Sequence, residues 1–120
     1  MLTDVRTELA TTLAPLGVNV YDHLPGRAAL PSAIVLAGSP YVTPGQAYGE
    51  YIARFDVWIS AATGDNNTET AQLDDLISSA VAALAAEGWT AEEVSQPFSF
   101  EINNGTAYTA TITVTSLVTL

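Results

Sequence analysis

Near the end of the chain, Tyr108, Ala110, Ile112 and Val114 alternate with Thr109, Thr111, Thr113 and Thr115. An extended chain places successive side chains on opposite sides, and a slip of one residue would exchange the two sets. The alternation therefore predicts a strand over 106–118, with one face turned to a core and a threonine ladder on the other. A one-sided strand needs neighbours in a sheet and a layer to cover its apolar face. Residues 50–60 supply one neighbour. Tyr51, Ala53, Phe55, Val57 and Ile59 point one way; Ile52, Arg54, Asp56, Trp58 and Ser60 point the other.

The remaining segments supply the layer and further strands. Leu2, Val5, Leu9, Leu13 and Leu16 recur every three or four residues. That spacing predicts a helix from 3 to about 14, stopped by Pro15 and Gly17. A second helix is expected over 68–87, with Leu73, Leu76, Ile77, Ala80, Val81 and Leu84 as its stripe and Gly88 as its stop. Residues 18–21 read as a short strand. Ala33-Ile34-Val35-Leu36-Ala37 reads as a strand buried on both faces, within 32–38. Segments 22–31 and 39–49, rich in Pro and Gly, read as loops, and 64–67 as a turn. A closing hairpin is expected, with arms 94–102 and 106–118 joined by Asn103-Asn104-Gly105. The expected class is α+β, a single domain over 1–120 in the order α-β-β-β-α-β-β. Its sheet is mostly antiparallel, with two helices packed on one face.

Charge narrows the function. The 120 residues carry 13 acids, three arginines and no lysine, a net charge of −10. The halves differ: with all three arginines before residue 61, residues 1–60 sum to −2 and 61–120 to −8. Binding to nucleic acid or to an anionic membrane surface requires clustered positive charge, so composition argues against both. No apolar run reaches the roughly 18–20 residues of a membrane span. Met1-Leu2-Thr3-Asp4 lacks the basic and apolar regions of a signal peptide, so a cytoplasmic product is expected. With no cysteine, the redox compartment is not constrained. Charged residues make up only 13%, about half the globular average. Such a low-charge exterior is suited to contacts with other proteins.

Catalytic patterns are incomplete. His23 is the sole histidine and lies in a loop without a partner base or nucleophile in the pattern. Gly38-Ser39-Pro40 lacks the second glycine of a nucleophile elbow. Without lysine the common phosphate-loop motif is excluded. The acidic run from Asp65 would need glycine at its sixth position and glutamate at its twelfth to hold calcium; Thr70 and Leu76 stand there. Asp74-Asp75 and Glu92-Glu93 are sequence neighbours, which do not face each other on a helix. Asn66-Asn67-Thr68 and Asn104-Gly105-Thr106 match the glycosylation acceptor pattern but read as turn residues. The expectation is no enzymatic activity, no cofactor and no metal. The scarce arginines are the stronger candidates, as contacts to a neighbouring subunit: Arg54 first, then Arg27 and Arg6. Arg54 has an equally weighted alternative, an internal pair with Asp56 or another acid. Tyr41, Tyr48 and Trp58 complete the expected interface, because aromatic side chains and arginine are enriched at binding hot spots.

In pattern and size the whole chain resembles the tail terminator, or tail-completion, proteins of tailed bacteriophages. The resemblance lies in the opening helix ending Leu13-Ala14-Pro15-Leu16-Gly17 and the loop with Leu24-Pro25-Gly26. It continues through the buried strand Ala33-Ile34-Val35-Leu36, the central strand Phe55-Asp56-Val57-Trp58-Ile59, the long helix from 68 to 84 and a Thr-rich hairpin. It implies a non-enzymatic virion protein assembled in the host cytoplasm as a six-membered homo-oligomeric ring at the head–tail joint. Such a ring would stop growth of the tail tube and bind both the tube protein and a head-completion or neck protein. It would do so without cofactor or membrane, and DNA would pass through the lumen without specific binding. The strong negative charge departs from the pattern, and suits a lumen that does not hold DNA. The alternatives are a neck or head-closure subunit, and a small non-viral ligand-binding α+β domain.

Overall fold

The structure is a computed structural model and describes residues 2–23, 31–61, 66–102 and 105–119. The alternating C-terminal segment forms the longest strand, β6 (Gly105–Thr119). At about 3.3 Å per residue, its 15 residues reach about 50 Å. That length matches the long axis of a molecule measuring 50 × 27 × 24 Å.

β6 pairs antiparallel with β3 (Glu50–Ser60) in an unbroken register from Glu50↔Thr119 to Ser60↔Thr109. This register sets Phe55 beside Val114, Val57 beside Ile112 and Ile59 beside Ala110. Apolar residues meet apolar residues on one face, and Thr111, Thr113 and Thr115 meet Trp58, Asp56 and Arg54 on the other. On the far side of β3, β2 (Ser32–Pro44) continues both faces, with Ala33 beside Ile59 and Val35 beside Val57. β1 (Asn19–Tyr21) adds to β2 in parallel, the one departure from antiparallel pairing among the described residues. The sheet order is β1-β2-β3-β6-β4, with β4 (Thr90–Val94) and β5 (Phe98–Ile102) both paired to β6.

Helices α1 (Leu2–Leu13) and α2 (Asn66–Ala86) pack on the apolar face. Leu9 and Leu13 of α1, and Leu73, Ala80 and Leu84 of α2, are fully buried against Phe55, Val57, Ile112 and Val114. Each large side chain buried this way contributes roughly 1.5–3 kcal/mol. Gly88, at φ 85°, reverses the chain after α2, and the Trp89 N–H donates to the Leu84 carbonyl at 2.9 Å. The Trp89 indole N–H then donates to Thr12 Oγ1 at 3.3 Å, tying the end of α2 to α1. The order α-β-β-β-α-β-β, with the strand before the last divided into β4 and β5, and the mostly antiparallel sheet with helices packed against it are as the sequence predicts. Among the described residues no helix is long and apolar enough to cross a membrane.

Two expectations are corrected. The predicted loop 39–49 is strand as far as Pro44. Pro40 lies in a register shift between Ala37 and Val42, after which Val42, Thr43 and Pro44 pair again with β3. Side chains suited to strands on both sides of the interruption re-form the ladder. At the shift the two chains press together: a Cβ added to Gly38 would stand 2.7 Å from Arg54 Cγ and 2.9 Å from the Arg54 carbonyl oxygen. Of the predicted hairpin arm 94–102 only 98–102 forms one continuous strand, β5; an unpredicted strand, β4, precedes it and ends at Val94, and the two lie along one edge of β6, separated at residues 95–97. Pro97 has no N–H for a ladder. Ser95 bridges the interruption, donating its N–H to the Thr111 carbonyl at 2.8 Å and accepting the Thr111 N–H on its hydroxyl at 2.9 Å. The predicted turn 64–67 falls partly outside the described residues, and Asn66 and Asn67 already belong to α2. Asn103 and Asn104 also lie outside them, flanked by the pair Ile102↔Gly105.

Candidate interaction surface

The sheet face away from the helices carries the candidate charges. Alternation along β3 puts Arg54, Asp56 and Trp58 there in a row. Arg54 Nη1 donates to the Pro40 carbonyl at 3.4 Å, and Nη2 lies 3.5 Å from Glu92 Oε1. Its side chain is 20% exposed. The guanidinium therefore ties the β2 irregularity to β4 across β3 and β6, within one chain. Burial pushes the Asp56 carboxyl above its ordinary value; Arg54 pulls it back and Glu93 pushes it further up. Trp58 sets its ring edge-on to Phe98, centroids 6.3 Å apart. Ser60 and Thr109 share a buried hydroxyl–hydroxyl bond of 2.9 Å.

Arg6 and Tyr41 are brought together on the helix side. Arg6 Nη2 donates to the Tyr41 hydroxyl at 3.0 Å, and its guanidinium carbon lies 5.9 Å from the ring centroid. The Tyr41 ring meets Phe55 edge-on at 5.6 Å. Arg6 thus joins α1 to β2, while its Nε is buried without a hydrogen-bond partner. Arg27 and the Leu24-Pro25-Gly26 segment lie outside the described residues. Tyr48 is separate from all of these. It stands fully exposed at the tip between β2 and β3. Its turn is closed by Gly45 N–H to the Glu50 carbonyl at 2.8 Å and Glu50 N–H to the Ala47 carbonyl at 3.1 Å.

His23 has Nδ1 2.8 Å from Asp22 Oδ1, and both side chains are exposed. The hydrogen bond from His23 holds the Asp22 carboxyl below its ordinary value. Nearby Thr11 donates its hydroxyl to the Thr7 carbonyl at 3.0 Å. Among the described residues, no group of three or more histidines and carboxylates could hold a metal.

Sequence reasoning missed the edge of β6. β4 begins opposite Thr115, so Ser116–Thr119 pair with β3 but have no strand on the other side among the described residues. Leu117, 62% exposed, projects from that stretch. Clefts flank it on both faces, one of about 350 Å³ toward α1 and one of about 440 Å³ on the opposite face, with Gly88 and Ser116 common to both. The available signal was the absence of any charged residue from 102 to 120. Compared with protein-family models and with curated proteins, the chain matches none.

Proposed function

We propose that this chain is a non-enzymatic structural subunit of a tailed-phage virion. It forms a homo-oligomeric ring that terminates the tail tube and docks to a head-completion or neck protein. One observation carries the reading beyond the resemblance. In a chain of net charge −10, residues 28–49 contain no charge, and that stretch ends at the fully exposed Tyr48. Like-charged subunits repel at their acidic faces, so neutral, aromatic-tipped surfaces are where close contact costs least. A turn closed by two backbone hydrogen bonds that presents one tyrosine supplies contact area at low entropic cost.

The test is deletion of the gene in its phage. The expected outcome is filled heads together with tubes of uncontrolled length that do not join them, read by electron microscopy. Tails of normal length would overturn the terminator reading. If those normal tails also failed to attach, the neck or head-closure role would take its place.

A further inference from the structure

The open edge of β6 lies in line with β4, as if one strand of the sheet had been left unfinished. β4 covers β6 from Ile112 to Thr115 and β5 covers Gly105 to Thr109. At Gly88 the chain leaves this edge for α2, and the last stretch of β6, Ser116–Thr119, has no outer strand among the described residues. In an antiparallel strand alternate residues direct their N–H and C=O to opposite sides. The stretch therefore presents main-chain donors and acceptors away from β3. No proline and no charged side chain blocks it, whereas edges that avoid pairing carry both.

The two clefts make this edge selective, because an added strand would place its side chains alternately into one and the other. They differ in chemistry. The cleft on the helix side is lined by Glu8, Glu87 and the hydroxyls of Thr7, Thr11 and Thr12. Glu8 and Glu87 are exposed, and the described residues show no ion pair for either. The cleft on the opposite face also holds a carboxylate, Glu92, but that one is paired with Arg54, and Ile52 and Leu117 supply apolar surface beside Thr90 and Thr115. We propose that the Ser116–Thr119 edge of β6 accepts an extended segment of another protein as an added antiparallel strand. Basic side chains of that segment enter the cleft of Glu8 and Glu87, and alternate aliphatic side chains cover Ile52 and Leu117.

The basic side chains favour a foreign partner over a second copy. The chain has three arginines and no lysine. Arg6 is engaged with Tyr41 and Arg54 with Glu92 and Pro40. Among the described residues, no strand places an arginine or lysine one residue away from an aliphatic side chain at a free edge. This inference is independent of the ring reading, since it concerns the isolated chain, and failure of the deletion test would leave it standing.

The experiment is titration of the full chain with eight-residue peptides, followed by the backbone amide shifts of Ser116–Thr119. A peptide alternating Lys and Val is expected to shift these amides saturably. Its counterpart alternating Glu and Val should bind at least tenfold more weakly, roughly what a few exposed charge pairs supply. The double variant Glu8→Lys with Glu87→Lys, both on exposed positions, should show the same loss for the Lys peptide. A Lys–Val peptide N-methylated at alternate amides keeps its charge and should leave the edge amides unmoved. That separates strand pairing from general attraction to an acidic protein. The proposal is overturned if the Lys–Val peptide leaves Ser116–Thr119 unshifted, or if the Glu–Val or N-methylated peptide binds as well. Shifts of the same amides with protein concentration in the absence of peptide would also overturn it, because a second copy would then be the occupant.

Discussion

The two faces of the sheet are built from the same three strands and held by different physics. On the helix side, Phe55, Val57, Ile112 and Val114 are excluded from water together with Leu9, Leu73 and Leu84. Stabilisation there scales with area and with the closeness of packing. On the other side β3 presents Arg54, Asp56 and Trp58: Arg54 is held by Glu92 and Pro40, Trp58 meets Phe98 edge-on, and Asp56 lies in the field of Arg54. This second face is buried at one end, at Ser32, Ile34, Ser60 and Thr109, and half-buried at Arg54, Asp56 and Trp58. The comparison teaches that the buried face defines the fold, and the polar face positions the irregular edge of β2 against β4.

The comparison breaks most severely at Phe55. Phe55→Ala should destabilise the protein by about 3–5 kcal/mol, because the lost side chain leaves a cavity between Val114 and the edge of Tyr41. Urea denaturation monitored by circular dichroism would measure it. The Arg6–Tyr41 pair should loosen with it, since Tyr41 loses the ring it leans on.

A smaller effect is expected on the opposite face. Arg54→Glu removes the bond to Pro40 and the pair with Glu92, and sets a carboxylate among Asp56, Glu92 and Glu93. The loss should be about 1–3 kcal/mol, the range for breaking a half-buried charged contact. It should appear as a lowered urea midpoint of the folded subunit. An unchanged midpoint would show that the intrachain clamp contributes nothing and would return Arg54 to the role of a contact to a neighbouring subunit.

The smallest change sharpens the electrostatics. Asp56 has its folded-state pKa raised above 3.8, chiefly by burial, so the folded protein holds that proton more tightly than the unfolded chain. Its contribution to stability therefore falls as pH rises from 3.8 to the raised value, and is constant above it. Asp56→Asn should remove this loss. The variant should be slightly more stable than the parent at pH 7 and indistinguishable in slope below pH 3.8, as read from urea midpoints across pH.

Much of this architecture is written in residue periodicity. Strict alternation in 50–60 and 106–118 determined which face of each strand is buried, since a period of two admits one assignment of faces. The leucine spacing of the first helix and the Leu73–Leu84 stripe of the second determined which helix sides meet that face. Local chemistry also made Gly88 a helix stop. What lay beyond reach was which interruption ends a strand and which only distorts it. The segment from Ser39 onward looks like a loop in isolation, but Val42–Pro44 find β3 still alongside and resume pairing. Pairing energy across strands is non-local, and no window of sequence contains it. The same holds for the charges. Arg54 and Glu92 are distant in the chain and become neighbours only because β3 and β4 flank β6. The open Ser116–Thr119 edge, too, was decided by tertiary structure: it exists because β4 stops opposite Thr115 while β6 runs on.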